Sequence, residues 1–241
     1  MYLTGDASIG EIVARDFRAA TVFREFGIDF CCGGRSTLNE VCRQRNLDAD
    51  NVLSALDAIR GTAAAAPRFD TWTIEELIGH IVETHHAYVR RVLPSLLAFT
   101  GKLARAHGSR HPELTEIAML IAVIAREMTS HMASEEGVLF PYMCALAEST
   151  RNGLPAPDSP FGSVENPLRV MEDEHEAVGA AMARISELTG RYSVPEDGCT
   201  TYRVCFEELA AFERDLHEHV HLENNILFPA VRKLSPPASL A

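Results

Sequence analysis

The sequence has little positive charge, with 22 Lys and Arg against 34 Asp and Glu and a formal net charge of −12. It contains no Lys/Arg-rich run of the kind that binds nucleic acid or an anionic membrane surface, so we expect neither partner. No apolar run approaches the roughly 18 residues of a membrane span, and the N-terminus lacks the features of a signal peptide. We therefore expect a cytoplasmic protein whose six cysteines are mostly reduced thiols.

A strand pattern is also missing, because no stretch alternates apolar and polar residues. Helix starts are marked instead by three capping boxes, in which Ser or Thr is followed three residues later by Glu. These boxes are Ser8–Glu11, Thr37–Glu40 and Thr73–Glu76. We expect one helix from the first box to about Phe26, stopped by Gly27, a short helix from the second box, and another over residues 50–60.

The chain is predicted to have two parts. Residues 1–60 form a small helical domain, the Gly/Ala-rich stretch in 61–72 is a linker that lets this domain move, and 73–236 form the larger part. Four long amphipathic stretches in the larger part predict an all-α fold, an antiparallel four-helix bundle. They are about 74–106, 113–149, 166–190 and 198–233. The long connection 151–160 is expected to be either a lid or a tolerated surface loop.

The bundle sequence contains a weak internal repeat. His131 to Pro141 and His219 to Pro229 both read H-x-x-x-E followed by Leu-Phe-Pro at the same offset. A fainter match joins Glu83-Thr84-His85-His86 to Glu172-Asp173-Glu174-His175. Two helical hairpins that face each other would bring all four segments together.

Residues at helical spacing form one apolar stripe on each of the four helices, and polar residues lie inside each stripe. Val138 belongs to the stripe of the second helix and is therefore also expected to point inward. The six inward polar residues are His86, His131, Glu135, His175, His219 and Glu223. Two buried carboxylates without counter-charge are very costly, so we expect metal ions to neutralise them. Imidazole and carboxylate without thiolate suit iron or manganese better than zinc. Glutamates on opposed helices can each bridge two ions, which leaves two histidines for each metal and room for an oxo or hydroxo bridge.

Other polar residues compete with this set. Glu83 and Glu172 precede histidines in E-x-x-H motifs, so they are alternative ligands or groups that orient the imidazoles. Four further histidines are expected to face away from the site, the last two of them solvated: His80, His85, His217 and His221. Pro94, Pro141 and Pro229 fall inside helical patterns and are expected to kink or locally break them.

These residues resemble the hemerythrin-like domains, whose H-x-x-x-E helices carry non-haem di-iron centres. The motif Asp29-Phe30-Cys31-Cys32-Gly33-Gly34 ahead of such a bundle resembles the ScdA-type N-terminal domain of the iron–sulfur cluster repair di-iron family, also called repair of iron centres. The resemblance implies that the six residues bind two iron ions. It also implies that the partners are damaged iron–sulfur proteins, repaired after nitric oxide or peroxide stress by a supply of iron.

Cys31 and Cys32 have an open role. Adjacent cysteines do not readily form an unstrained disulfide, nor do they complete a tetrahedral metal site alone. They are either two small buried residues or exposed thiols that accept or pass on iron, react with nitric oxide, or pair with another molecule. We expect an iron donor rather than an enzyme. The alternatives are a nitric oxide or oxygen trap or sensor and a di-iron nitric oxide reductase; a homodimer formed through the N-terminal part is left open.

Overall fold

The computed structural model describes residues 5–60 and 68–234, in which the N-terminal part contains four short helices. They are α1 (Ile9–Arg15), α2 (Ala19–Glu25), α3 (Leu38–Arg45) and α4 (Ala49–Arg60). Ser8 and Thr37 form the predicted capping boxes. The single helix expected up to Phe26 is wrong, because the side chain of Asp16 accepts hydrogen bonds from Arg18 and competes with the helical backbone between α1 and α2. Gly27 ends α2 with φ of 67°.

The larger part is a bundle of four long helices, three of them interrupted by a π-helical turn. The first bundle helix consists of α5 (Ile74–His80), a π turn (Ile81–His86) and α6 (Ala87–His107). The second consists of α7 (Glu113–Ser134), a π turn (Glu135–Leu139) and α8 (Phe140–Arg151). The third is α9 (Glu165–Leu188), and the fourth consists of α10 (Thr200–Leu222), a π turn (Glu223–Leu227) and α11 (Phe228–Leu234). Helix α6 packs on α7 and α10, and α7 packs on α9. The predicted all-α bundle is therefore confirmed.

The prolines inside the bundle act in two ways. Pro141 and Pro229 each follow a π turn, in the first turn of α8 and α11 respectively, where a missing N–H is tolerated. Helix α6 continues through Pro94, so it is not broken there. The long connection after α8 is largely exposed, which favours a surface loop. Within the described ranges, no helix is both long and apolar enough to cross a bilayer.

The N-terminal part packs directly against the bundle. The rings of Phe17 and Phe30 lie 6.1 and 5.9 Å from that of His221. The side-chain amide of Asn225 donates to the carbonyls of Phe30 and Cys31 at 3.2 and 2.9 Å. A hydrophobic core runs continuously from α1–α4 into the bundle. These contacts fix the position of the Cys-Cys-Gly-Gly segment.

The predicted linker is described only at its end. Residues 61–67 lie outside the described residues, so the linker and its mobility stay predictions. A 3₁₀ turn, Phe69–Thr71, follows. The ring of Phe69 is buried, with its centre 4.9 Å from that of Trp72 and 6.4 Å from that of Phe17. The chain is thus anchored at the point where it enters the bundle.

Docking of the N-terminal part requires a close approach at Gly34. A Cβ atom there would overlap Oδ1 of Asn225, and Asn225 has little freedom to move because it bonds two carbonyls. We expect Gly34→Ala to destabilise the protein by about 1–3 kcal/mol, as overpacking does. In the matched control Gly79→Ala, the added methyl meets nothing within 4 Å. Urea unfolding of both variants measures the difference, and equal stability would contradict this account of the interface.

Candidate metal centre

Six polar side chains meet in the interior of the bundle. All are buried, and they come from all four bundle helices: His86, His131, Glu135, His175, His219 and Glu223. These are the six residues that the sequence singles out. They converge because His131 and His219 lie one helical turn before a glutamate in each H-x-x-x-E segment.

The six side chains divide into two overlapping groups that share both carboxylates. In each group, four potential ligand atoms lie within 4.8 Å of one another. The groups are His86, His219, Glu135 and Glu223, and His131, His175, Glu135 and Glu223. Oε2 of Glu135 lies 3.3 Å from Nε2 of both His86 and His131. The two oxygens of Glu223 lie 3.0 Å from Nε2 of His219 and 2.9 Å from Nε2 of His175. Each carboxylate therefore stands between two imidazoles.

The π turns coincide with this pocket. Glu135 and Glu223 each begin a π turn, and His86 ends one. A π turn inserts an extra residue into the helix, which changes the face that the following residues present. Val138, expected to point inward, is 47% exposed, whereas Leu139 is buried. The inward stripe predicted from uninterrupted helical spacing is therefore wrong beyond Glu135.

The donor set fits a cation. Burial raises the pKa of Glu135 well above its ordinary value, and the nearby charge of Glu223 raises it further. Burial alone would raise the pKa of Glu223 too, but His219 and His175 hold it below its ordinary value. Neither oxygen of Glu135 has a hydrogen-bond partner within residues 5–60 and 68–234. Burial lowers the pKa of His131 to about 3, so its imidazole is neutral and has a lone pair to offer. The pocket therefore has the ligand chemistry and the geometry to hold a metal ion.

Three outer groups orient the imidazoles. The Nδ1 atoms of His86, His131 and His175 lie 2.6, 2.7 and 2.9 Å from the side-chain oxygens of their partners, which are Glu136, Glu174 and Asn224. Donation from Nδ1 fixes the tautomer that leaves Nε2 free towards the pocket. Sequence reasoning missed all three partners. Their only signal is that each directly neighbours one of the six pocket residues and faces a histidine of another helix.

The E-x-x-H alternative is not supported by the positions of its glutamates. Glu83 is exposed on the first bundle helix. Glu172 pairs with Arg35 of the N-terminal part and, at 3.1 Å, with Arg232. Neither carboxylate belongs to the two groups of potential ligands found among the described bundle residues. Glu172 instead helps to hold the N-terminal part on the bundle.

Three of the histidines expected to point away are in fact enclosed. His85 is buried, donates from Nδ1 to Asp215 at 3.0 Å and stacks on the ring of His219 at 5.6 Å. His221 is buried under Phe17 and Phe30, and burial lowers its pKa to about 4. His217 is mostly buried beside Phe30. The expectation of solvated His217 and His221 is wrong, because the N-terminal part covers the outer face of α10.

The two adjacent thiols line a groove between the N-terminal part and the bundle. Cys31 is buried and Cys32 is partly exposed, so the two residues differ in exposure and the role of the pair stays a prediction. The groove has a volume of about 1230 Å³, and its walls include both cysteines, residues of α9 and α10, and Asn224. Because Asn224 also contacts His175, it separates the groove from the metal pocket.

Comparisons with known proteins agree with this architecture. Residues 5–60 match the ScdA_N domain, a domain of unknown function, and residues 77–231 match the hemerythrin HHE cation binding domain. Similar proteins include the iron-sulfur cluster repair proteins YtfE of Yersinia pestis (strain Pestoides F) and Yersinia pseudotuberculosis serotype O:1b (strain IP 31758). Each is 33% identical over 222 residues, which cover 92% of this chain and 95% of the relative.

Metal binding should stabilise the fold. At a free metal concentration 100 times Kd we expect a gain of about 2.7 kcal/mol, or roughly 5–11 °C in Tm for a chain of this size. Glu135→Leu should abolish this gain while leaving the metal-free protein equally or more stable, because it removes a buried carboxylate. The control Glu83→Gln should keep the full gain. Thermal unfolding with and without metal measures both quantities, and an undiminished gain in Glu135→Leu would contradict the assignment.

Proposed function

The chain belongs to the family that joins a ScdA_N domain to a hemerythrin HHE cation binding domain, and from that premise we propose that it repairs damaged iron–sulfur clusters by donating iron. The proteins to which it is similar are named for iron-sulfur cluster repair, and the donation of iron is our proposal for how this chain does it. Its partners would be iron–sulfur proteins damaged by nitrosative or oxidative stress. The observation that carries the proposal is the packing of a two-thiol loop beside a metal pocket.

The pocket would hold two iron ions. His86 and His219 would hold one ion and His131 and His175 the other, with Glu135 and Glu223 available to both. Mixed imidazole and carboxylate ligands suit iron, and two carboxylates contribute two negative charges against the positive charge of the ions. When bound, iron would supply an exchangeable ion and open coordination positions. The protein would orient the imidazoles through Glu136, Glu174 and Asn224 and keep bulk water out by burial.

The second step of the proposal concerns the path of iron as cargo. Asn224 contacts His175 and lines the groove, and the next residue, Asn225, holds the carbonyl of Cys31. Both asparagines lie in the same π turn, directly after Glu223. An ion that leaves the His131 and His175 side of the pocket would therefore reach the groove where the thiols lie. This arrangement supports delivery, which a simple gas carrier would not require.

Two alternative functions make different demands on the same pocket. A nitric oxide or oxygen trap or sensor would bind the gas reversibly and retain its iron. A nitric oxide reductase would consume an electron donor during turnover. Iron donation is distinguished from both alternatives if iron passes to a damaged cluster protein without reversible gas binding and without consumption of an electron donor.

The first test counts iron per chain. Glu135→Leu should lose both ions or release both faster to a chelator, because each bridge serves two positions. His86→Ala should mainly affect one ion, since water can occupy the vacated corner. Glu83→Gln should keep both ions. Metal analysis and chelator release kinetics provide the measurements. Loss of iron in Glu83→Gln combined with two ions in Glu135→Leu would overturn the ligand set.

The second test measures repair. The iron-loaded chain is mixed anaerobically with a nitric oxide-damaged iron–sulfur enzyme, and the recovered enzyme activity is followed. We expect recovery with the parent chain, and a much lower rate with the double variant Cys31→Ser/Cys32→Ser at unchanged iron content. Cys144→Ser is the matched control, because Cys144 is a half-buried thiol of α8. Equal rates for the double variant and its parent would remove the thiols from the mechanism.

A further inference from the structure

The loop that carries the two thiols presents three donor atoms to one point. One carboxylate oxygen of Asp29 and the sulfurs of Cys31 and Cys32 all lie within 4.8 Å of one another. Oδ1 of Asp29 lies 3.1 Å from Sγ of Cys31, and the two sulfurs are 3.8 Å apart. None of these atoms belongs to the six-residue pocket.

The distance between the sulfurs is the spacing that a shared metal ion requires. Metal–sulfur bonds of about 2.3 Å in a tetrahedral arrangement place two sulfurs roughly 3.8 Å apart. A disulfide would need them at about 2.05 Å. The present separation therefore fits two thiolates on one ion without rearrangement of the loop.

The loop is held in this shape by the backbone. Asp29 accepts hydrogen bonds from the amides of Cys31, Cys32 and Gly33 at 2.9, 3.1 and 3.1 Å. Asn225 fixes the carbonyl of Cys31 from the other side. Gly33 approaches so closely that a Cβ there would lie 2.9 Å from the carbonyl oxygen of Asp29. A donor set fixed by such contacts loses little conformational entropy when it binds an ion.

The electrostatic environment also suits a cation. The contact between the thiols, together with burial, raises the pKa of Cys31, and the same contact lowers the pKa of Cys32, so Cys32 is the easier of the two to deprotonate. Binding of a divalent ion by both sulfurs would release the thiol protons to solvent, and no electron would be transferred. His217 lines the same groove, and its Nδ1 is sealed from solvent without a partner in the described part of the chain.

We propose that Asp29, Cys31 and Cys32 form a separate mononuclear site for a thiophilic divalent ion such as Fe(II) or Zn(II), with one coordination position open to the groove. Thiolate ligands select such ions. The other pocket offers only imidazole and carboxylate ligands and no sulfur. Two adjacent cysteines do not complete a tetrahedral site alone, and Asp29 would supply the third ligand. The inference stands whether or not the chain repairs clusters.

Cobalt(II) is the probe, since thiolate coordination gives it sulfur-to-cobalt charge-transfer absorption. The full chain is first loaded with iron and then titrated anaerobically with Co(II), and bound iron is measured in the same samples. We expect one equivalent of Co(II) with a charge-transfer band, displaced by Zn(II), with no loss of iron beyond the one equivalent that this site itself can hold. The band should be absent in Cys31→Ser and in Cys32→Ser and unchanged in Cys144→Ser.

Asp29→Asn tests the third ligand while keeping one oxygen to accept from the amides of Cys31 and Cys32; only the Gly33 amide loses its acceptor. Loss of a group that only supports a metal ligand costs about 10- to 100-fold in affinity. Because Asp29 would be a ligand itself, we expect its substitution to weaken Co(II) binding by at least that factor. Absence of the band in the parent chain, or its persistence in either serine variant, would overturn the proposal. The charge-transfer band arises from the cysteine sulfurs and not from the imidazole and carboxylate pocket. The Co(II) titration therefore stays interpretable even if the chain does not bind two irons or does not repair clusters.

Discussion

Two carboxylates buried at the centre of the bundle are the constraint on which the rest of the structure depends. Glu135 and Glu223 are fully enclosed, and an isolated charge in such a place is among the most costly features a fold can contain. Four imidazoles surround them, and three of these are oriented in turn by outer partners. Cations bound between these groups would offset the cost of burying both carboxylates.

The sequence predicts this centre because its spacing is local. In H-x-x-x-E, a histidine and a glutamate share one helix face whatever the rest of the chain does, and the repeat identifies the second copy. The same periodicity fails one turn later, where Val138, which it places inward, is exposed. Periodicity assumes a constant number of residues per turn, whereas the π turns that begin at Glu135 and Glu223 change it.

Features that depend on contacts between distant segments could not be predicted in this way. The sequence places His217 and His221 on a different face from the apolar stripe of α10, which predicts that both side chains are exposed to solvent. The N-terminal part covers them through Phe17 and Phe30. Likewise the E-x-x-H motif makes Glu172 an alternative metal ligand, yet its carboxylate pairs with Arg35, which lies far away in the chain. Helix identity and pocket composition are local properties, but the docking of the two parts is not.

The imidazoles of the centre differ in their outer partners within the bundle. His86 and His131 donate to carboxylates, whereas His175 donates to the neutral amide of Asn224. A carboxylate partner makes an imidazole a more basic, stronger ligand than an amide partner does. Of the two imidazoles on the side of the pocket that faces the groove, His175 therefore has the weaker support. On the other side, Nδ1 of His219 has no partner among the described residues. An ion proposed to leave between His131 and His175 would therefore part more easily from His175, which is the imidazole next to the groove.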